Sequence, residues 1–389
     1  MKKEKNVYNR KSSRDHFLKV YNERKHNGHG WISEMAEELE VSVSAVSKRI
    51  KDYKQKGAIP LDSGNSVGTG ELLRGTSTLY DDDGKVKLQW VKTDALKQDI
   101  LDAFKRSVED ITKKINPVDA TPAPMYTNED ILVKYPLGDP HFGLLTWHKE
   151  VGEDFDLKIA KQSSLSAMQN LVDSAPNANE CLILDLGDTL HTDDQTNKTK
   201  ASGHQLDVDG RFDKLFDMAL HILTSMINIA LKKHNIVRFR KTRGNHDPDA
   251  SIAIGAFIEA YYRNDPRVIV ERSPSIFWSY KFGKTLHFST HGHTTKQKDL
   301  PEIIAHDCKD VWSDCNFVYA DTGHIHHQSV IETRSCICES HNSLAAGDSY
   351  NYGHGYRSRR NMKAITYHKE YGEIQRATVD IRMIKDLDE

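Results

Sequence analysis

The stretch "KTRGNHDPD", residues 241–249, follows directly on the apolar run "NIVRF" at 235–239. Short runs rich in Ile, Val and Phe are typical of strands buried in a sheet. A turn after such a strand needs only glycine and one polar residue, so Gly244 and Asn245 alone would be consistent with a hairpin. An amide, an imidazole and a carboxylate in adjacent positions indicate a functional site if other strands end in the same residue types.

Four other apolar runs between residues 131 and 389 stop at such side chains. They are "ILVKYPLGDPHFG" at 131–143, "CLILDLGDTLH" at 181–191, "TLHFSTHGH" at 285–293 and "NFVYADTGHIHH" at 316–327. In open α/β sheets, the loops at the carboxyl ends of the strands share one crevice. We therefore expect the five loops to converge on one site.

These loops offer oxygen and imidazole ligands and no thiolate. The candidate metal ligands are Asp139, His141, Asp188, Asn245, His291, His324 and His326. Such a set suits Mn²⁺ first, with Fe²⁺, Zn²⁺ and Ni²⁺ as alternatives, better than a Cys-rich zinc site or an all-oxygen calcium site. The ligands are too many for one ion, so we predict two divalent ions that share a bridging carboxylate. Because only Asp139 and Asp188 are anionic, this centre should attract a phosphate and activate water.

The ordered motifs D-x-H, GD, GNHD, HGH and GHxH resemble those of the calcineurin-like metallophosphoesterase superfamily. The resemblance covers residues 131–389 and implies an α/β fold, a β-sandwich flanked by helices. It implies one metal site formed by Asp139, His141, Asp188 and His326. It implies a second site formed by Asp188, Asn245, His291 and His324, with Asp188 bridging the two ions.

The same resemblance implies roles for the residues beside Asn245. His246 matches the family's histidine that binds no metal and that stabilises the transition state or protonates the leaving oxygen. Asp247 would orient or polarise His246. In the motif HGH, the family pattern favours His291 over His293 as the ligand.

Further polar residues are candidates for contacts around the metal centre. His191, Arg243, His293 and His327 are predicted to support the ligands or to face the substrate. A lone histidine is more often a surface or core residue, and the chain has 20 histidines. In "GYRSRRNMK", the arginines Arg357, Arg359 and Arg360 either contact a polyanion backbone or only keep the surface soluble.

The segment "WISEMAEELEVSVSAVSKRIKDYKQKGAIP" at 31–60 predicts two short helices around a turn. Ser44 is predicted to cap the second helix. Ser44 and the basic residues Lys48, Arg49 and Lys51 of that helix are the candidate contacts with DNA. The pattern resembles a helix-turn-helix, whose second helix enters the major groove of DNA, although Glu40 occupies the turn position that usually holds glycine. The alternatives are a small helical domain with a solvated basic face, or one that binds protein.

The chain between these regions predicts a connector. Residues 76–92, "TSTLYDDDGKVKLQWVK", alternate on both sides of "DG" and predict a hairpin, either a wing of the helical domain or a separate sheet. Residues 95–115 predict an amphipathic helix that pairs two chains into a homodimer or packs on its own catalytic body. The expected domains are a DNA-binding domain at 1–60, a connector at 61–116, a proline-rich linker at 117–130 and a phosphoesterase domain at 131–389.

Charge and cysteine content limit the class of protein. Residues 1–60 carry a net charge of +6 and the remainder −8, which suggests a basic module for polyanions attached to an acidic body. The five cysteines form no CxxC pair, which favours reduced thiols. The basic N-terminus lacks the apolar segment of a signal peptide, and no run approaches the roughly 20 apolar residues of a membrane span. We therefore expect a cytoplasmic protein with no membrane partner.

Together these features predict a two-metal phosphodiesterase that acts on DNA and is delivered by its N-terminal module. By resemblance, its functional relatives are the repair exonucleases of the superfamily. The arrangement is also similar to proteins of tailed bacteriophages, which would place it in the host cytoplasm. One alternative is a phosphomonoesterase or protein phosphatase, since the same metal core serves both chemistries. Another is a DNA-binding regulator or packaging-associated protein with vestigial catalysis.

Overall fold

The structure is a computed structural model with two compact units, Met1–Phe104 and Lys105–Glu389. It describes residues 14–24, 30–55, 106, 113, 115–200 and 202–384, together with the backbone of 71–80 and 86–95. The division between the units falls inside the predicted connector at 61–116 and not at the predicted linker.

The predicted linker differs from expectation because its residues bind to the large unit. Arg267 Nη1 donates to the carbonyl oxygens of Thr121 and Pro122 at 2.8 and 2.9 Å. The first strand of the large unit then begins at Asn128, inside the predicted linker. The prolines prevent regular secondary structure here, but these hydrogen bonds make residues 117–127 part of the second unit.

Three helices form the described side-chain core of the N-terminal unit. They are α1 (Arg14–Arg24), α2 (Trp31–Glu38) and α3 (Val43–Gln55). Their apolar faces bury a small core of Phe17, Val20, Tyr21, Met35, Ala36, Leu39, Val46 and Ile50. The helical spacing in the sequence predicts α2 and α3, and α1 adds a third helix.

The cap of α3 differs from the prediction. The helix begins at Val43, and the Ser42 hydroxyl accepts a hydrogen bond from the N–H of Ala45 at 3.2 Å. Ser42 is therefore the capping residue. The prediction of Ser44 as the cap is wrong, because Ser44 already lies inside the helix.

The turn between α2 and α3 contains a left-handed residue. Glu40 has a φ of 57°, a conformation that glycine adopts at lower cost. The turn therefore has the backbone geometry for which glycine is usual, at the expense of some strain.

A two-stranded antiparallel hairpin follows, made of β1 (Glu71–Tyr80) and β2 (Val86–Ala95). It occupies the position of the hairpin predicted around "DG". The turn of the hairpin and most of the predicted helix at 95–115 lie outside the described residues.

Two mixed sheets form the core of the large unit. The first contains β3 (Asn128–Leu137), β4 (Ala178–Asp185), β5 (Ile236–Lys241), β6 (Val268–Glu271), β12 (Asn361–His368) and β13 (Gly372–Asp380), in the order β13-β12-β3-β4-β5-β6. The second contains β7 (Trp278–Phe282), β8 (Thr285–Ser289), β9 (Phe317–Thr322), β10 (Ser329–Glu332) and β11 (Ile337–Ser340), in the order β10-β11-β9-β8-β7. Strands β3 to β6 are parallel, as are β8, β9 and β11.

The two sheets pack face to face, and helices cover their outer faces. Between the sheets, Leu182 and Leu184 of β4 pack with Trp278 of β7. The first sheet is covered by α5 (Leu157–Ser174), α6 (Phe212–Leu231) and α7 (Ala250–Tyr261), and the second by α8 (Leu300–Asp307) and α9 (Lys309–Trp312). Short helices α4 (His148–Val151) and α10 (Ser349–Gly353) lie in loops. This architecture confirms the expected α/β fold, a β-sandwich flanked by helices.

Helix α6 corrects the expectation that no segment approaches a membrane span. Among the described helices it alone is long and apolar enough to cross a membrane. In the fold, however, Leu215, Leu223 and Ile227 are buried in the core that contains β4 and β5, whereas Asp213 and Asp217 are exposed. These features are typical of a core helix with one apolar face.

A buried ion pair crosses the interface between the sheets. The ammonium group of Lys134 on β3 donates to Asp321 Oδ2 on β9 at 2.6 Å, and both side chains are buried. His341 Nε2 donates to Asp321 Oδ1 at 2.8 Å. Burial alone would raise the pKa of Asp321, but the charge of Lys134 and the hydrogen bond from His341 hold that pKa well below its usual range. The pair ties β3 to β9, the strands that precede two of the predicted ligand loops.

We predict that Lys134→Met lowers the free energy of unfolding by about 3–5 kcal/mol, because it leaves the buried Asp321 carboxylate without its ammonium partner. Urea unfolding of the full chain measures this loss. Lys369→Met is the matched control, since Lys369 pairs with Asp130 at the surface, where solvent screens the charges, and the free energy of unfolding should stay nearly unchanged. Equal losses in the two variants would contradict a structural role for the buried pair.

Candidate metal centre

Five strands place the predicted ligands at one end of the sandwich. Strands β3, β4 and β5 are parallel in one sheet, and β8 and β9 are parallel in the other. Asp139 and His141 follow β3, Asp188 follows β4, Asn245 follows β5, His291 follows β8, and His324 and His326 follow β9. Because parallel strands end at the same edge of a sheet, their loops meet there.

The first triad consists of Asp139, His141 and His326, whose ligand atoms lie within 4.8 Å of one another. The Nε2 atoms of His141 and His326 are 3.0 Å apart, and His326 Nε2 lies 3.7 Å from Asp139 Oδ1. Two imidazole nitrogens and one carboxylate oxygen therefore point to a common position. This is the set that the family resemblance assigns to one metal, apart from the shared Asp188.

The second triad consists of Asp188, His291 and His324, again with ligand atoms within 4.8 Å. His291 Nε2 lies 3.2 Å from Asp188 Oδ2 and 3.0 Å from Asn245 Oδ1. His291 Nδ1 donates to the carbonyl oxygen of Leu186 at 2.8 Å, which fixes the ring and directs Nε2 towards the other ligands. The amide of Asn245 thus joins the second triad.

The ligand loops have an unusual backbone. Asp139, His141, Asp188, His324 and His326 all have positive φ angles, between 42° and 69°. Residues other than glycine rarely adopt this conformation, and each instance costs about 1–3 kcal/mol. Such strain concentrates at functional sites, and here it falls on five of the predicted ligands.

Glycines next to the ligands allow this close approach. A Cβ atom on Gly244 would lie 1.9 Å from Asp188 Oδ1, and one on Gly323 would lie 2.5 Å from Asp139 Oδ2. Either contact would displace a carboxylate. The glycines of the GNHD and GHxH motifs are therefore required because the carboxylates pack against their backbone.

Most of the clustered imidazoles are held neutral. Burial lowers the pKa of His326 and of His324 to about 4, and it lowers that of His141 well below its usual range. A neutral imidazole has a free lone pair and is the form that binds a metal ion. These histidines therefore need not lose a proton before they coordinate a cation at neutral pH.

The pKa values of Asp139 and His291 are both raised in this buried cluster. Burial raises the pKa of Asp139 to about 7, and the neighbouring Asp188 charge adds to this effect although His291 opposes it. Burial also favours neutral His291, but the Asp188 charge outweighs it and raises the pKa of His291 to about 9. A bound cation would replace the proton of His291 as the partner of Asp188.

His246 lies beside the triads without joining either. Its backbone N–H donates to Asp188 Oδ1 at 2.8 Å, and its Nδ1 donates to the carbonyl oxygen of His191 at 2.9 Å. The rings of His191 and His246 stack with centroids 5.5 Å apart, and His191 Nδ1 lies 3.2 Å from His141 Nδ1. His191 thus contacts both His141 and His246, and its predicted support of the ligands remains a prediction.

Asp247 has a different role from the one expected. Its carboxylate accepts hydrogen bonds from the N–H groups of Thr189 and Leu190 at 2.9 and 3.2 Å and lies 3.3 Å from Lys241 Nζ. The expected contact with the His246 ring is replaced by the His191 carbonyl, because the buried Asp247 carboxylate is turned towards the loop after β4. Asp247 therefore anchors the loop that carries Asp188, and no hydrogen bond among the described residues joins its carboxylate to the His246 ring.

Sequence reasoning missed the buried charges under these loops. Lys241 Nζ lies 3.7 Å from Asp185 Oδ1, and the Thr189 hydroxyl donates to Asp185 Oδ2 at 2.6 Å. The available signal was a charged residue at the end of each of two runs with strand-forming residues, Asp185 after "CLIL" and Lys241 after "IVRFR". A buried charge is found only where another group pairs with it.

The remaining candidates lie at the edge of the site. His293 is exposed, with its ring centroid 5.2 Å from that of His291, and Arg243 is half-buried. His327 is exposed and donates from Nδ1 to the carbonyl oxygen of Ile325 at 2.8 Å. None of the three belongs to a described donor group, so their predicted contacts with substrate remain predictions.

The donor set fits divalent metal ions. Each triad combines one carboxylate oxygen with two imidazole nitrogens, and no described thiol belongs to either. Such mixed sets suit Mn²⁺, Fe²⁺, Zn²⁺ and Ni²⁺. The two triads would hold the ions, with Asn245 beside His291 as a further oxygen ligand.

Comparisons with known proteins locate similar structures but no similar sequence. No family model matches the chain, and no curated protein sequence matches it. A Streptococcus pneumoniae TIGR4 protein described as a predicted phosphoesterase is 9% identical, with 65% of this chain and 99% of that chain covered and a TM-score of 0.26.

Two further solved structures show similar values. Vacuolar protein sorting 29 from Cryptosporidium parvum is 11% identical, with 65% of this chain and 98% of that chain covered and a TM-score of 0.30. PhoD is 9% identical, with 64% and 66% covered and a TM-score of 0.33. At these TM-scores the similarities carry no argument, so the function is inferred from the donor geometry.

We predict that the chain binds two Mn²⁺ ions and that Asp188→Asn weakens the binding of both by more than about 100-fold, since losing an outer-shell partner alone costs about 10- to 100-fold. Equilibrium dialysis with metal analysis measures the number of ions and their affinities. Asp213→Asn, on the exposed face of α6, is the matched control and should bind as the unsubstituted chain does. Binding of at most one ion by the unsubstituted chain would contradict the shared-carboxylate arrangement.

Proposed function

We propose that this chain is a divalent-metal-dependent phosphodiesterase that cleaves DNA. The proposal rests on one observation, the convergence of the first and second triads at one end of the sandwich. Two divalent ions bound at the triads would carry more positive charge than the carboxylates carry negative charge. The resulting positive centre suits a phosphate substrate. Bound divalent ions offset the charge of a phosphate and lower the pKa of a water molecule.

The chain's own residues support this chemistry by holding groups in place. The His191 carbonyl accepts the Nδ1 proton of His246, so Nε2 is the ring atom of His246 that can give or take a proton. We assign to Nε2 the donation of a proton to the leaving oxygen, as the family resemblance implies. The backbone N–H of His246 also donates to Asp188, so ligand and proton donor move together.

The N-terminal unit supports DNA as the substrate. Lys48 and Lys51 are exposed on α3, the helix that would enter the major groove. Arg49 instead packs on the helical core, with its guanidinium carbon 4.8 Å from the ring centroid of Phe17. We therefore assign the contacts with phosphate to Lys48 and Lys51 more than to Arg49. We assign to the N-terminal unit the role of delivering the catalytic site to DNA.

The decisive experiment is cleavage of end-labelled single- and double-stranded DNA by the full chain with Mn²⁺ and with EDTA. We expect Mn²⁺-dependent cleavage, no cleavage in EDTA, and faster turnover of bis(4-nitrophenyl) phosphate than of 4-nitrophenyl phosphate. A strong preference for the monoester would favour a phosphomonoesterase or protein phosphatase instead. Asp188→Asn should abolish cleavage while duplex DNA binding persists, because the basic helices lie in the other unit.

A second prediction concerns His246. His246→Gln should lower kcat for DNA cleavage by about 10²- to 10⁴-fold, the usual contribution of a general acid, while the metal content stays unchanged. His306→Gln is the matched control, since His306 is exposed near the end of α8. If His246→Gln lost metal in proportion to activity, His246 would be a ligand or a structural residue and not the proton donor.

A further inference from the structure

A cleft extends from the metal centre along the segment after α10. Its larger part has a volume of about 690 Å³ and is lined by residues from His327, the neighbour of the predicted ligand His326, to Thr378. A smaller depression includes His326 itself. Residues 356–359 line both, so the two adjoin. We call the larger part the arginine cleft; its volume suits a nucleotide-sized ligand.

The arginine cleft is positively charged. Its described lining includes four cationic side chains and no carboxylate: Arg357, Arg359, Lys363 and Arg376. Lys363 and Arg376 both donate to Glu339 Oε1, at 2.6 and 2.8 Å, so part of their charge is compensated.

Two of the four arginine-cleft cations are available to a ligand. Arg357 and Arg359 are exposed, and neither forms a close ion pair with a described residue, although the charge of Arg359 helps to lower the pKa of Asp380. Arg357 Nη1 donates only to the carbonyls of Tyr352 and Tyr356. Arg360 differs, because it is half-buried and pairs with Glu153 at 2.6 Å. Of the three arginines in "GYRSRRNMK", Arg360 is therefore structural.

Aromatic side chains accompany these arginines. Tyr356 lines both depressions and is 59% exposed, although an aromatic ring at the surface gains little from water. The guanidinium carbon of Arg357 lies 3.9 Å from the ring centroid of Tyr352. Exposed rings beside unpaired arginines form the surface on which single-stranded nucleic acids stack their bases and place their phosphates.

We propose that the arginine cleft holds the nucleotide next to the scissile phosphodiester, with its phosphate on Arg357 and Arg359 and its base on Tyr356. The proposal rests on the phosphodiesterase function proposed above and specifies its substrate as a polynucleotide strand. A phosphate needs cations that are not already neutralised, and these two arginines meet that requirement. His327 lines the arginine cleft and His326 lines the adjoining smaller depression, which connects this subsite to the metal centre.

The test compares the trinucleotide pTpTpT with bis(4-nitrophenyl) phosphate, a diester too small to reach both sites, using the full chain and Mn²⁺. The readout is the ratio of the two kcat/KM values. Arg357→Ala/Arg359→Ala should lower this ratio about 10- to 100-fold, the effect of losing hydrogen bonds to a charged group. Arg272→Ala/Arg334→Ala is the charge-matched control, since both arginines are exposed and neither lines the cleft. The control should keep the ratio.

Stacking is tested separately with two substitutions of one side chain. Tyr356→Leu should lower the ratio about 5- to 100-fold, because a base loses its aromatic partner, whereas Tyr356→Phe should keep it. All these positions are exposed, so circular dichroism and thermal melting should show folded variants. Arg357→Lys/Arg359→Lys retains the charge and should recover part of the loss.

Three outcomes would overturn the proposal. The first is an unchanged ratio of kcat/KM values in folded Arg357→Ala/Arg359→Ala. The second is a larger loss of phosphoserine-peptide hydrolysis than of pTpTpT hydrolysis in that variant, which would assign the cleft to a peptide. If the unsubstituted chain hydrolyses neither diester, the proposed function itself fails. Binding of labelled pTpTpT to the cleft is then measured by fluorescence anisotropy. Equal affinity of the unsubstituted chain and of Arg357→Ala/Arg359→Ala would be the third outcome and would refute the nucleotide subsite.

Discussion

The burial of two neighbouring carboxylates is the constraint on which the large unit depends. Asp139 and Asp188 are 0% and 1% exposed, and buried charges persist in proteins only when they are paired or bind metal. Backbone N–H groups compensate part of this charge, from His324 to Asp139 at 2.8 Å and from His246 to Asp188 at 2.8 Å. Most of the imidazoles around them are neutral and add lone pairs without positive charge, and His291, the exception, holds a proton that a cation would replace. Cations at the two triads are the compensation that this arrangement is suited to receive.

The rest of the sandwich keeps these carboxylates in place against the strain of their loops. Left-handed backbone at five ligand positions is costly, so the loops need anchors outside the metal ligands. Asp247 binds the loop after β4 through two backbone N–H groups, and Lys241 pairs with Asp247 beneath it. Between the sheets, Lys134 and Asp321 link β3 to β9. A shift of either sheet would therefore disturb both triads at once.

Charge is distributed over the molecule in a way that suits a polyanionic substrate. The end of the sandwich that holds the two triads combines buried carboxylates with an adjoining cleft lined by four cationic side chains. The separate N-terminal unit is basic and presents Lys48 and Lys51 on α3. Electrostatic attraction of this kind acts over about a Debye length, so it guides binding without defining the scissile bond.

Local pattern was sufficient for the strands, the α/β class and the ligand candidates, because buried strands are apolar runs and the residue types at their ends are visible along the chain. Contacts between distant residues were not visible in this way. Strand order and loop conformation determine three such contacts. They turn Asp247 towards Thr189, pair Lys134 with Asp321, and place His327 and Arg376 in one cleft. Sequence periodicity specifies which face a side chain occupies, whereas only the folded chain determines which distant group it meets there.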